Sequence, residues 1–311
     1  MMRPSRRSIW LLCAALALVA GCGGDSNEPA PQEALIVVSP HPDDESIFGG
    51  ATIYRLAADP NHYVHAIYIS GGDKATVPGD CNGIPEARKT ELIVALRERE
   101  TRAAWAVLAP TRHVPIDFLR APDQGTVASS TIVGGVRQDV LSAAGADAVT
   151  RAVARAMQLP GSVRSVLLLT TSIYDAHPDH RTAYRAAREA AERLSDERGL
   201  DVRLWSWIVH DEIPVVDVPL CCIGDFHWPA AGPRNDYLAL TDAPVRPRPP
   251  RWNHVEDASD LTSIRRDALA QHVSQVVGYP PLCMPVGIPQ FYTRWTEKVE
   301  EPFYEEVLNS G

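Results

Sequence analysis

The chain has 311 residues, of which 45% are hydrophobic and 22% charged. That is ordinary globular composition, enough for one large domain or two small ones, and it excludes collagen-like, coiled-coil and disordered chains. Net charge is −9, and removal of Arg3, Arg6 and Arg7 with a leader takes the 30 Lys and Arg to 27 against 39 Asp and Glu, or −12. Such a body repels phosphate backbones, so no nucleic-acid partner is expected.

The first segment reads as an address. Arg3, Arg6 and Arg7 form a basic n-region, and Ile9 to Ala20 form an apolar stretch of 12 residues, too short to span a bilayer. It ends in Val19-Ala20-Gly21-Cys22, which resembles a bacterial lipobox, where the Cys is diacylated and becomes the new N-terminus. The expected organisation is a lipoprotein signal peptide over 1–21, a flexible linker over 22–33 after a lipidated Cys22, and one domain over 34–311. The protein is then expected outside the cytoplasm, lipid-anchored to a cell-envelope membrane. There Cys81, Cys221, Cys222 and Cys283 can form disulfides. Because the adjacent pair Cys221-Cys222 is a strained choice, one or two bridges to Cys81 and Cys283 are expected. No CxxC spacing suggests a zinc-thiolate site.

Beyond the leader the pattern alternates. Ala34 to Ser39 and His65 to Ser70 are apolar runs that read as buried strands, and Ser46 to Ala58 between them reads as a helix. Glu86 to Leu108 is a long helical stretch closing before Pro110, and His113 to Leu119 suggests a third strand. A helix near Asp147 to Gln158 precedes the strongest strand, Val163 to Thr171, followed by a helix from about Arg181 to Arg198 and a strand from Val202 to Val209. This alternation predicts an α/β, Rossmann-like sandwich with a mostly parallel sheet. Residues 214–253 are rich in Pro and loop formers, and an amphipathic helix is expected from about Ala258 to Val277.

In an open parallel sheet, ligands collect beyond the carboxyl ends of the strands. There the first strand runs into Pro40-His41-Pro42-Asp43-Asp44-Glu45, and the strongest strand runs, after a short loop, into His177-Pro178-Asp179-His180. His41 and Asp44, three apart at a helix start, can each offer a ligand to one side, and His180 arrives from the other loop. Two imidazoles and a carboxylate suit one zinc ion with positions left for water and substrate. Asp43 then points elsewhere and can act as general base, while His177, held by Asp179, suits the stabilisation of a developing oxyanion or protonation of a leaving amine. Asp43, Asp44 and Asp179 also suit helix N-caps, and the two roles are compatible.

At these residues the sequence resembles the PIG-L / LmbE-like deacetylase family, marked by a first-strand HPDDE and a later HPDH, both intact here. The resemblance continues through Gly50-Ala51-Thr52-Ile53, Arg97 and Glu100, and a late Ala268 to Gln275, spanning about Leu35 to Gln275. It implies a zinc-dependent N-deacetylase of N-acetylglucosamine-type groups, with His41, Asp44 and His180 as ligands and Asp43 as base. It also implies substrate contacts at Arg97 and Asp123. Some members carry a catalytic Tyr two residues before the HPDH histidine; this chain has Asp175 there, with Tyr174 one step away. The insert with Cys221, Cys222, Trp228 and Trp252 has no family counterpart.

The expected reaction is metal-assisted hydrolysis of an N-acetyl amide to acetate and a free amine. With a lipid anchor, the expected substrate is an amidated sugar of envelope or extracellular glycans or glycolipids. Two alternatives stand beside it, an amidase for thiol conjugates and a catalytically silent, lipid-tethered glycan-binding protein. Neither a GxGxxG after the first strand nor a GxSxG is present, so nucleotide-binding and serine-hydrolase readings lack support.

Overall fold

A computed structural model describes residues 30–74, 76, 79–123, 127–133, 136–141, 143–173, 175, 177–209, 253–284 and 300–308. The leader, Cys22, Tyr174, Cys221, Cys222, Trp228 and Trp252 lie outside the described residues.

The expected strands appear as β1 (Glu33–Ser39), β2 (His62–Ser70), β3 (Ile116–Ala121), β6 (Ser165–Thr171) and β7 (Asp201–Trp207), mutually parallel in the order β3-β2-β1-β6-β7. Two elements not expected extend the sheet past β7: β9 (Glu300–Leu308), antiparallel to it, and β8 (His254–Asp257), antiparallel to β9. A separate antiparallel hairpin, β4 (Val127–Val133) with β5 (Val136–Leu141), lies between β3 and the next helix.

Residues in β1 alternate between two buried clusters, Leu35 and Val37 on one side and Ala34, Ile36 and Val38 on the other, as continuous apolar strands do when helices cover both faces. On the first face pack α1 (Asp44–Phe48), α2 (Gly50–Ala57), α3 (Glu86–Leu108) and α6 (Thr262–Leu269), through Phe48, Ile53, Trp105 and Leu269. On the second pack α4 (Ala143–Ala156) and α5 (Pro178–Arg198), the latter through its Ala183, Ala186, Ala187 and Ala190 stripe. Among the described residues no helix is long and apolar enough to cross a membrane.

Three expectations are corrected. The helix read over Ser46–Ala58 is two helices meeting at Gly49, whose backbone at φ −146°, ψ 19° leaves the helical region. The helix read over Ala258–Val277 is α6 and a short α7 (Val273–Val276), separated where buried His272 turns inward to Glu45. Cys81 pairs with Cys283, their Cα atoms 5.9 Å apart, so neither bridges to Cys221 or Cys222. That bond joins the loop after β2 to the segment after α7, where Thr76 Oγ1 also donates to the Leu282 carbonyl.

The chain leaves β1 toward β2 and β3 on one side, and β6 and β7 lie on the other. β1 and β6 are therefore neighbours running in the same direction at the point where strand order reverses. The loops beyond their carboxyl ends diverge and leave a crevice, the usual ligand position in such sheets.

Candidate metal centre

Both motif loops enter that crevice. After β1, Ser39 Oγ donates to the His41 carbonyl at 2.8 Å, and the His41 N–H donates to Asp44 Oδ2 at 3.1 Å. After β6, His177 is the N-cap of α5, with Pro178 in the first turn, so His180 points back from that turn into the crevice. Thr171 Oγ1 anchors it by donating to the His180 carbonyl at 3.0 Å.

The three expected ligands converge. His41 Nδ1 lies 3.2 Å from Asp44 Oδ2, His180 Nε2 lies 3.3 Å from the same oxygen, and the two ring nitrogens are 3.3 Å apart. Three ligand atoms on a tetrahedral zinc, each about 2.0–2.1 Å from it, stand about 3.3 Å from one another. The far nitrogens support the same reading. His41 Nε2 faces Asp123 Oδ1 and Asp179 Oδ2, each at 3.3 Å, and His180 Nδ1 faces Asp175 Oδ2 at 3.1 Å. Each ring has a carboxylate on either side, and with a cation held among the inner nitrogens and Asp44 the ring protons belong on the outer nitrogens, which face acceptors. Three electron-rich atoms at that spacing call for a cation.

The electrostatics agree. Burial lowers His180, yet the carboxylates of Asp175 and Asp44 push it up to about 9. Burial likewise opposes the charge on Asp44, and the two histidines still hold it well below the usual carboxylate range. Other sets share the crevice: His41, His177 and His180, and also His41, Asp123, His177 and Asp179, bring ligand atoms within 4.8 Å of one another. The Asp44 set has edges of 3.2 to 3.3 Å, and it leaves the outer carboxylates to orient the imidazoles.

Asp43 turns away from this triangle toward Arg97. Arg97 Nη2 donates to Asp43 Oδ1 at 3.2 Å and to the Pro42 carbonyl at 2.5 Å, and Nη1 donates to the Gly72 carbonyl at 2.9 Å. Burial pushes Asp43 up to about 6 against the lowering effect of Arg97. Its main-chain N–H donates to Glu45 Oε2 at 3.1 Å. Asp43 stands at the N-cap of α1 but makes no side-chain cap bond, so its carboxylate is not engaged in capping. The ring of His177 meets that of His41 edge-on at 4.8 Å, and its Nδ1 accepts the Asp179 N–H at 3.2 Å, which assigns the ring proton to Nε2.

The two residues expected at the substrate have partners inside the protein. Arg97 is 3% exposed and spans Asp43 and two carbonyls, because a guanidinium taken out of water needs its charge and donors matched. Asp123 lies behind His41, with Oδ2 accepting the Lys74 N–H at 3.2 Å. Asp179 does meet His177, through its main-chain N–H, while its carboxylate faces His41.

Sequence reasoning missed several contributors. Asp175 stands behind His180. Glu45, the last letter of the first motif, pairs with His272 Nε2 at 3.0 Å and so joins the motif loop to the start of α7. Glu100 accepts both the N–H and the hydroxyl of Ser274, at 2.8 and 2.6 Å. Glu100, His272 and Ser274 all fall inside the stretches that carry the family resemblance, which was the available signal.

A model of the family described as PIG-L: GlcNAc-PI de-N-acetylase matches residues 36–191. The chain is 28% identical over 263 residues to the 1D-myo-inositol 2-acetamido-2-deoxy-alpha-D-glucopyranoside deacetylase of Rhodococcus opacus, covering 80% of this chain and 84% of that one. It is 31% identical over 171 residues to the protein of the same description in Streptomyces avermitilis, covering 53% of this chain and about half, 55%, of the relative. Among solved structures, the N,N'-diacetylchitobiose deacetylase from Pyrococcus horikoshii is similar with a TM-score of 0.47 and 15% identity, over 99% of this chain and 95% of that one.

Proposed function

The chain belongs to the PIG-L family of GlcNAc-PI de-N-acetylases, and from that premise we propose that it removes the N-acetyl group from N-acetylglucosamine-type sugars of envelope or extracellular glycans or glycolipids. It is a metal-dependent N-deacetylase and its metal is zinc. The observation that carries the reading is the triangle of His41 Nδ1, Asp44 Oδ2 and His180 Nε2, with edges of 3.2 to 3.3 Å, beside a carboxylate that faces Arg97 and not the triangle.

His41, Asp44 and His180 would hold the zinc. When bound, such an ion lowers the pKa of water and polarises a carbonyl. The chain's own residues supply the rest. Asp43 takes the proton of the attacking water, held in position by Arg97 and by the hydrogen bond of its own N–H to Glu45. His177 offers a hydrogen bond from Nε2–H to the oxygen on which charge develops, and Asp43 returns the proton taken from water to the departing nitrogen. Asp123 and Asp179 keep the His41 ring turned to the centre. One amide C–N bond breaks, and acetate and a free amine leave.

The location is part of the proposal. A signal peptide over 1–21 and a lipid on Cys22 would tether the domain to an envelope membrane, and the Cys81–Cys283 bond suits an oxidising compartment. The test is acetate release by the zinc-loaded protein from N-acetylglucosamine, chitooligosaccharides, N-acetylated glycolipids and envelope polysaccharides, with a chelated sample and Asp43→Asn as controls. Release that needs both zinc and Asp43 is expected. No acetate from any of them, with one zinc per chain bound, would overturn the reading. Intact mass of the membrane-extracted protein tests the tether; a mature form that begins elsewhere and carries no lipid would remove it.

A further inference from the structure

We propose that Asp175 is a positioning residue that fixes the ring of His180 for metal binding and ties that ligand to the end of β7. The proposal rests on the ligand set of the proposed function.

Asp175 is fully buried, at 0% exposure. Both of its oxygens are held by the main chain of different segments. Oδ1 accepts the His177 N–H at 2.8 Å, and Oδ2 accepts the Val209 N–H at 2.7 Å. The carboxylate cannot rotate without stranding a buried amide, so its position is set by the turn before α5 and by the residue that leaves β7. On that fixed acceptor sits His180 Nδ1, 3.1 Å from Oδ2. With its proton facing Asp175, the ring presents the Nε2 lone pair to the point shared with Asp44 Oδ2 and His41 Nδ1, each 3.3 Å away.

The residue type matters as much as its place. Two amides donate to Asp175 and the His180 ring nitrogen lies against it, and an ionised carboxylate is the one side chain of that size that only accepts. Asparagine would bring one acceptor oxygen and one NH2 group to the same neighbours, so an amide would face a donor or the ring would lose its negative partner. A tyrosine, which the resemblance puts at this position in some members, could not accept two diverging amides on separate oxygens. The position in this chain therefore serves orientation of the metal ligand. The two imidazoles are treated alike, His41 by Asp123 and Asp179 from its outer side and His180 by Asp175 from its own.

The experiment compares full-length wild type and Asp175→Asn in detergent. Zinc affinity is measured by competition with a chromophoric chelator, and the metal-free unfolding midpoint is measured beside it. A zinc dissociation constant about 10- to 100-fold weaker in the variant is expected, the usual cost of losing a carboxylate behind a metal-bound histidine, with the metal-free midpoint within a few degrees of wild type. A dissociation constant within twofold of wild type would overturn the proposal. If Asp175→Asn does not fold, the wild-type protein decides: long-range 15N–1H spectra of the zinc-loaded, histidine-labelled protein should show His180 protonated at Nδ1 and metal-bound at Nε2, and the opposite tautomer would overturn the assignment. His180→Ala checks the ligand set itself, and retention of zinc at wild-type affinity there would remove the premise. Failure of the deacetylase reading is a separate outcome, since acetate release plays no part in the affinity or the tautomer.

Discussion

Asp43 stands at φ 122°, ψ −28°, a backbone conformation that only glycine adopts without cost. It is kept there because its N–H is bound by Glu45 and its carbonyl accepts the N–H groups of Ser46 and Ile47 at 3.0 and 3.1 Å. The strain directs the carboxylate to Arg97 and away from the cluster that includes Asp44. Asp43→Asn should therefore keep close to one zinc per chain and lose about 10²- to 10⁴-fold in turnover, the usual contribution of a general base; metal content and acetate release check the two halves. Arg97 has a condition of its own. A Cβ on Gly72, at φ 64°, would lie 1.5 Å from Arg97 Nη1, so Gly72→Ala must move the guanidinium or the loop. Gly72→Ala is expected to lower kcat at least tenfold, whereas Gly161→Ala, where a Cβ meets nothing within 4 Å, should leave it unchanged; steady-state kinetics on both variants decides. The donor types were legible in HPDDE and HPDH, because ligand chemistry depends on residue type and local spacing. The partners of Arg97 and Asp123 were not, because each is met by residues remote in sequence, and for Asp175 the distant partner is the Val209 N–H.

At the scale of elements, the last strand does more than close an edge. Glu301 in β9 accepts the N–H groups of Ala51 and Thr52 at 2.9 and 2.8 Å, at the amino end of α2, and lies 3.1 Å from Arg265 Nε in α6. One buried carboxylate thus satisfies two helix-start amides and neutralises a buried guanidinium. Glu301→Ala removes that charge partner and should destabilise the fold by about 3–5 kcal/mol, the scale for breaking a buried ion pair; equilibrium urea unfolding measures it. Periodicity predicted the parallel strands well, since their apolar runs are buried on both faces. It missed β8 and β9, whose charged residues Glu256, Asp257, Glu300 and Glu301 hide the strand pattern. The long helix Glu86–Leu108 was legible to the residue, with Pro85 before it and Pro110 beyond its end.

Across the whole molecule, the Cys81–Cys283 bond closes a loop between residues 202 apart in sequence. In the chain-entropy account, a loop of that length is worth about 5 kcal/mol through restriction of the unfolded state. The double variant Cys81→Ser, Cys283→Ser should lose stability of that order, read as a lower urea midpoint, and reduction of the wild-type protein should lower its thermal midpoint in the same direction. An unchanged midpoint after confirmed reduction would contradict this. The bond also secures the loop after β2, in which the Lys74 N–H holds Asp123 behind His41, so its effect reaches the metal centre through that hydrogen bond. By itself the sequence determined the α/β class, the strands that carry the motifs and the family, and it singled out the histidines and aspartates that meet in the crevice, because these depend on local pattern and residue chemistry. Tertiary structure alone decided the pairing of Cys81 with Cys283, the antiparallel edge, the seat of Arg97 beneath Asp43 and the bond from the Val209 N–H to Asp175. Each of these is a contact between distant segments, set by how buried charges and amides find partners once the sheet has brought those segments together.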